Sequence, residues 1–172
     1  MRHGLTDWNL ERKIQGVTDI PLNETGIQQA SEAFYKLKNI DFDVVYCSPL
    51  IRTRQTASLV TGNRYPIIVD ERIIERDFGD MEGVDIVIKD VEKIWAQPID
   101  KPLRNEETFA HMLQRASSFI NDLPKVDNVL IVTHGAFFRA LKVVLEGLDP
   151  NTTDLFAIKI NNCELYKITK EF

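Results

Sequence analysis

Two cysteines, Cys47 and Cys163, are all that the 172-residue chain contains. They are too few for a disulfide framework, and neither has a partner at metal-ligand spacing. A reducing cytoplasmic compartment is the simplest reading of that scarcity. No apolar run approaches the ~20 residues needed to cross a bilayer, and the polar, charged first residues form no signal peptide. Positive charge is also scarce, with 21 Lys and Arg against 26 Asp and Glu and a formal net charge of −5. That excludes a general nucleic-acid or anionic-membrane surface, because both need concentrated cations. An anionic substrate would need its positive charge in one local pocket. There is no internal repeat and no low-complexity tract. What is present is an ordinary globular composition, 44% hydrophobic and 27% charged, over a length that suits one domain spanning residues 1–172.

Residues 24–38 carry Ile27, Ala30, Phe34 and Leu37 at near-helical spacing behind Asn23 as N-cap. Val44–Cys47 reads as a short buried strand. Ser48-Pro49 then predicts a helix start, with proline in the first turn, running to about Val60 and stopped by Gly62. Tyr65–Val69 is a second strand. Residues 84–96 are weakly helical and end before Pro98. Asn105 is expected to cap a longer helix to about Asp122, with Phe109, Leu113, Ala116 and Ile120 facing inward. Val129–Thr133 is the continuous apolar run of a parallel strand covered on both faces. Ala136–Leu145 is helical, closed by Gly147. Phe156–Ile160 and Glu164–Thr169 flank Asn161-Asn162 like a terminal hairpin. Strands alternating with helices predict an α/β domain, with a mostly parallel sheet and an antiparallel edge between helical layers. In such sheets ligands bind beyond the carboxyl ends of the strands. Ser48–Arg54 and His134-Gly135 occupy that position, the second of them at a helix N-terminus whose free N–H groups favour anions.

Arg2-His3-Gly4 sets an arginine beside a histidine, His134-Gly135 repeats His-Gly far along the chain, and Arg52 and Glu75 lie between. Two histidines, two arginines and a glutamate from separate strand-to-helix turns suit phosphoryl transfer. A phosphate monoester is dianionic near neutral pH, and guanidinium forks match its oxygens two at a time. An imidazole with an ordinary pKa of ~6.5 is an available neutral nucleophile. A sheltered carboxyl can protonate the leaving alkoxide. No metal is needed if the arginines supply the charge, and no Asp, His and Glu cluster has metal-ligand spacing. The bland alternatives are a solvated His111, solvated loop charges across Asp70–Asp77, Glu82 as a substitute acid, Trp8 and Trp95 as packing residues, and Cys47 as a small buried side chain.

With these motifs in order the chain resembles the histidine phosphatase superfamily, also called the phosphoglycerate mutase-like family, over almost its whole length. Arg2-His3-Gly4-Leu5-Thr6 is similar to that family's opening motif. Asn9, Gln15-Gly16, Asp19, Pro21-Leu22, Gly26 and Gln29-Ala30 follow at its spacing. The segment from Ser48-Pro49 through Arg52 to Thr56-Ala57 resembles the second motif. Glu75-Arg76-Asp77-Phe78-Gly79 with Glu82-Gly83 resembles the third, and Val132-Thr133-His134-Gly135 the fourth. The resemblance implies a three-layer αβα sandwich. It implies that His3 becomes phosphohistidine, that Arg2, Arg52 and Asn9 bind the phosphoryl group, that His134 donates to it, and that Glu75 is the proton donor. It implies no cofactor, a small phosphorylated metabolite as partner, and room for a homodimer.

The chain departs from the family pattern at its start. The usual central strand before Arg-His-Gly is missing or truncated, with Met1 standing where the family has an apolar residue. The preferred expectation is a longer natural protein. If the strand is truly lacking, His3 should be poorly fixed, activity weak, and a strand borrowed from elsewhere. Glu106, where the family often has glycine, is expected near the pocket, repelling anionic substrates or selecting uncharged tails. Three functions are open. A phosphatase is favoured because only residues 84–104 separate the third motif from the next helix, leaving a small lid that admits water. A cofactor-dependent phosphoglycerate mutase is the alternative. A non-catalytic phospholigand-binding member would suit the truncated start.

Overall fold

In a computed structural model the described residues are 1–86, 88–96 and 98–169, with backbone alone for 88–90. Residue 87, inside the stretch 84–96 read as weakly helical, and residue 97, just after it, lie outside them. The elements run α1 (Asp7–Leu10), α2 (Glu24–Leu37), β1 (Val44–Cys47), α3 (Ile51–Thr61), β2 (Ile67–Val69), α4 (Ile88–Ala96), α5 (Phe109–Asn121), β3 (Val129–Val132) and α6 (Gly135–Glu146). Short 3₁₀ turns occupy Glu71–Ile73 and Gly79–Met81. The sheet has order β2-β1-β3 and is parallel throughout.

Side chains alternate across the sheet because successive Cβ atoms point to opposite faces. Val45, Cys47, Leu130 and Val132 face one core with Ala30, Ala33, Leu37, Ala57 and Val60 of α2 and α3. Tyr46 and Ile131 face the other, with Met112, Phe119 and Phe137 of α5 and α6. The result is the three-layer αβα arrangement. The inward face of α2 differs from the periodic reading. Gly26, Ala30, Ala33 and Leu37 are buried, whereas Ile27 is 43% exposed. Gly26 stands where the Leu5 backbone passes directly against the start of α2, and Ala30 and Ala33 face side chains of β1, α3 and β3.

The N-terminal strand is present as a stub. The Met1 amino group donates to Ile131 O at 2.7 Å. Thr133 N donates to Met1 O and His3 N to Thr133 O, giving a parallel bridge between Arg2 and Thr133. The stub therefore lies beside β3, on the side away from β1. The expected terminal hairpin is not formed, and among the described residues the sheet has no antiparallel edge. The outer edge of the stub has its own backbone groups to satisfy, and the tail satisfies them instead of pairing with itself. Cys163 N donates to Arg2 O at 3.0 Å, and Arg2 N to Glu164 O at 3.3 Å. Two helix starts also move. Thr108, not Asn105, caps α5, while Asn105 accepts from Asp80 N. Leu50 is the N-cap of α3, so Ser48 is released for another role.

The turn after the stub is pressed against the start of α2. Asn23 N donates to Leu5 O, Leu5 N to Gln29 Oε1 and Gly4 N to Thr56 Oγ1. A Cβ on Gly26 would sit 2.1 Å from Leu5 O, and one on Gly4 would sit 2.6 Å from Gly26 O. Neither backbone can retreat without losing these bonds. Gly26→Ala is expected to cost ~3 kcal/mol, a drop of roughly 6–12 °C in Tm for a domain of this size, read by thermal unfolding.

Candidate active site

The stub, β3 and β1 end side by side, and their carboxyl ends deliver His3, His134 and Ser48 to one place. The two imidazole centroids are 5.3 Å apart. His3 is 2% exposed and His134 is fully buried. His3 Nδ1 lies 2.7 Å from Gly4 O. A carbonyl oxygen only accepts, so Nδ1 carries the proton and the lone pair stands on Nε2. The expectation of a poorly fixed His3 is therefore corrected. The backbone contacts of the stub with β3 and the tail, plus the Gly4 carbonyl, orient the ring.

His134 Nε2 lies 2.7 Å from Ser48 Oγ. Ser48 is fully buried, and its oxygen also receives Leu50 N at 3.4 Å. Sequence reasoning assigned Ser48 to a helix cap and missed this contact. Its position directly after a buried strand was the available signal.

Arg52, on the first turn of α3, is fully buried. Its Nη1 donates to Thr18 O at 2.8 Å and its Nη2 to Gly16 O at 2.6 Å. Glu82 holds that loop in turn, accepting from Val17 N, Thr18 N, Thr18 Oγ1 and Phe78 N. Glu82 is thereby committed to a loop clamp, and Gly16, at φ 54°, is the only residue type that leaves room for its carboxylate. Arg2 donates through Nη1 to Ile160 O at 2.9 Å and lies across the start of α6, where a Cβ on Gly135 would stand 3.4 Å from Arg2 Nε.

Glu75 follows the Glu71–Ile73 turn, which Thr133 Oγ1 ties to the sheet by donating to Ile73 O at 2.7 Å. Its carboxylate takes Ala136 N at 3.1 Å and Phe137 N at 2.8 Å, both in the first turn of α6, and Arg76 N at 2.9 Å. The helix N-terminus thus positions a carboxylate, where the sequence suggested a direct anion site. Asn9 is engaged elsewhere. Its Oδ1 accepts from Thr6 N and Thr6 Oγ1 in the capping box of α1. Asn162, read as a hairpin turn, connects it to the site by donating to both Asn9 Oδ1 and His3 O. Glu106 is 4% exposed and turned toward the protein, accepting from Leu103 N and Arg104 N, with Arg76 Nη2 at 4.0 Å. Its charge is met internally, so the expected repulsion of anionic substrates has no basis in its placement. His111 is solvent-exposed as read, with Nδ1 on Glu107.

The electrostatics follow from burial. Removal from water, reinforced by Arg2 and Arg52, holds His3 well below the usual histidine value of 6.5, against a smaller raising effect of Gly4 O. Burial, then Arg52 and His3, does the same to His134. Both imidazoles are neutral at pH 7. Burial pushes Arg52 down to about 10, opposed by Glu75 and Asp19, which leaves it cationic. Arg2 Nε, Arg52 Nε and His134 Nδ1 are buried without hydrogen-bond partners among the described residues. Buried unpaired donors cost about 1–3 kcal/mol each, a cost that a bound anion with several oxygens would relieve. Among the described residues no three His, Cys, Asp or Glu side chains are placed to hold a metal ion.

The histidine shifts carry a stability consequence. Above pH ~6.5 both rings are neutral, folded or unfolded. Below it the unfolded chain takes up protons that the folded site excludes, so stability falls with pH from that point down to the folded values. The two histidines give a slope of up to ~2.7 kcal/mol per pH unit, and the Met1 amino group, pushed by burial from 8.0 down to about 5, adds to it over the same range. Urea unfolding in phosphate-free buffer between pH 7 and 5 is expected to show this fall, with a shallower slope in His134→Asn. A flat profile in the unsubstituted protein would contradict it.

A neutral imidazole flanked by guanidinium groups at the ends of parallel strands, inside an αβα domain, defines the class of fold. The chain belongs to the histidine phosphatase superfamily (branch 1), whose family model matches residues 1–171. It is 37% identical over 169 residues to PhoE of Bacillus subtilis (strain 168), described as an uncharacterized phosphatase, covering 95% of this chain and 86% of that protein. It is 34% identical over 168 residues to the 2,3-bisphosphoglycerate-dependent phosphoglycerate mutase of Methylobacterium sp. (strain 4-46), covering 88% and 81%. Phosphoserine phosphatase of Entamoeba histolytica, solved with 3-phosphoglyceric acid, superposes with TM-score 0.80 at 29% identity, covering 94% of this chain and 84% of that one. A putative alpha-ribazole-5'-P phosphatase of Escherichia coli superposes with TM-score 0.80 at 29% identity, covering 95% and 84%.

Proposed function

We propose that the protein hydrolyses small phosphate monoesters through phosphohistidine at His3. The observation that carries this reading is the His3 ring itself. It is neutral, oriented by Gly4 O and free at Nε2 beside two guanidinium groups with unpaired buried donors. The Nε2 lone pair forms the N–P bond as the ester O–P bond breaks. Glu75 gives its proton to the departing alkoxide, which leaves as the alcohol. Arg2, Arg52 and His134 hold the phosphoryl oxygens, where charge must be met throughout. Asn9 reaches the site through Asn162, which donates to both Asn9 Oδ1 and His3 O. A water molecule then attacks phosphorus and returns a proton to Glu75 while the N–P bond breaks. Inorganic phosphate leaves and His3 is restored.

The phosphatase named among the relatives supports water as the acceptor. The mutase named among them supports a bound product as acceptor, and this is the second reading. The binding-only reading loses its motive once His3 is held firmly. Free Cys47 and Cys163 support a reducing, cytoplasmic setting. No helix of the described residues is long and apolar enough to cross a membrane.

The test is a panel of sugar phosphates, phosphoserine, phosphoglycerates and aryl phosphates, with rapid-quench labelling by a ³²P ester. The expected result is phosphate release with an acid-labile, alkali-stable phosphoenzyme. Conversion of 3- to 2-phosphoglycerate outpacing phosphate release would favour the mutase. Absence of any phosphoenzyme, with no turnover, would overturn both.

A further inference from the structure

Arg115, on the second turn of α5, uses every N–H it has on one task. Its Nε donates to Glu107 Oε1 at 2.7 Å and its Nη2 to Glu107 Oε2 at 2.8 Å, a bidentate pair. Its Nη1 donates to Arg72 O at 2.6 Å and Ile74 O at 3.1 Å. Its Nη2 also reaches Glu75 O at 3.5 Å. Those contacts exhaust the guanidinium fork. All three carbonyls belong to the short stretch that carries the Glu75 side chain. The guanidinium also lies over the Phe137 ring, 4.7 Å from its centroid, and Phe137 N is a donor to the Glu75 carboxylate. Glu107 grips the other side of the same stretch. Its carbonyl accepts from Arg76 Nε at 2.8 Å, and its N–H donates to Asp77 O at 2.8 Å. The Arg115 and Glu107 side chains are 12% and 9% exposed, so the pair is little screened by water.

We infer that Arg115, braced by Glu107, is a positioning residue for the Glu75 carboxyl: it touches no substrate and sets where the proton donor stands. The inference rests on the reading of Glu75 as proton donor. A proton donor must be held within ~0.5 Å of its working position. The donors supplied by α6 hold the carboxylate end of Glu75. Arg115 holds the backbone end and the ring next to those donors. Lysine cannot replace it, since its three donors radiate from one point and cannot serve a carboxylate and three carbonyls together.

The test compares kcat/KM for p-nitrophenyl phosphate, whose phenolate leaves without a proton, with kcat/KM for β-glycerophosphate, whose alkoxide needs one. Arg115→Lys and Glu107→Gln are each measured beside Glu75→Gln. In Arg115→Lys the glycerol ester is expected to fall at least about tenfold and the aryl ester less than about threefold. Glu107→Gln should shift the ratio in the same direction by less. Should Arg115→Lys fail to fold, the Glu107→Gln ratio decides the matter. Equal loss on both esters would show a merely structural role and overturn the inference. So would an unchanged ratio in Arg115→Lys and Glu107→Gln while Glu75→Gln shifts it, a result that spares the reading of Glu75. If Glu75→Gln itself left the ratio unchanged, the reading of Glu75 would fall, and the inference with it.

Discussion

His3→Ala should reduce phosphate release by about three orders of magnitude or more and abolish the acid-labile phosphoenzyme. The size of the loss follows from what the ring alone supplies. His3 Nε2 carries the free lone pair of a neutral ring, because Gly4 O occupies Nδ1, while His134 is tied to Ser48 through Nε2. Water would have to attack directly among groups arranged for a nitrogen. Binding should suffer far less. Arg52 and His134 come from other elements and Arg2 reaches out with its own side chain, so removing the His3 ring takes away none of the proposed phosphoryl-binding donors. Inhibition by inorganic phosphate is therefore expected to change by less than about tenfold. Rapid-quench labelling and product inhibition read the two quantities separately. Retention of more than about a tenth of the activity would rule out covalent catalysis at this residue.

Glu75→Gln should lower kcat/KM for alkyl phosphates by about 10²–10³ and for p-nitrophenyl phosphate by much less. The amide keeps the shape of the side chain but carries no proton that it can give to an alkoxide. kcat/KM reports the steps through alcohol release, so any further effect on water attack does not obscure the comparison. The substitution has a structural cost as well. Glu75 Oε1 accepts from Arg76 N and Phe137 N, and Oε2 from Ala136 N. A glutamine has one acceptor oxygen, so its NH₂ group must face an N–H. A loss of about 1–3 kcal/mol in unfolding free energy is expected from that mismatch. A fall of equal size on both esters would place Glu75 in binding or folding and not in proton transfer.

Much of the fold was legible because its signals are local. The Val44–Cys47 and Val129–Thr133 runs are apolar without alternation, as strands covered on both faces must be, and both form parallel strands. Gly62 and Gly147 close α3 and α6 in the left-handed conformation at φ 61° and 63°, as expected of helix-terminal glycine. The misreadings share one cause. Ser48, Asn105 and Asn162 were each assigned the local role that their residue type favours. Each instead has a partner distant in the chain: His134, Asp80 and His3. The α2 face was misread for the same reason, since the Leu5 backbone requires glycine at position 26 and Ala30 and Ala33 face the sheet and α3, and period alone cannot show that.

The sequence by itself determined which chemistry is available: two histidines, two arginines and a glutamate at the ends of predicted strands, with no surplus of cations elsewhere. Residue type sets proton affinity and hydrogen-bond capacity, and those properties travel with the chain. Only the tertiary structure decided which nitrogen of His3 is free, that three residues of strand suffice to hold it, and that Glu75 is gripped at one end by α6 and at the other by Arg115. The last two outcomes depend on contacts between residues 40–162 positions apart, which no local pattern encodes, and the first on the His3 rotamer that turns Nδ1 onto the neighbouring Gly4 O inside the folded site.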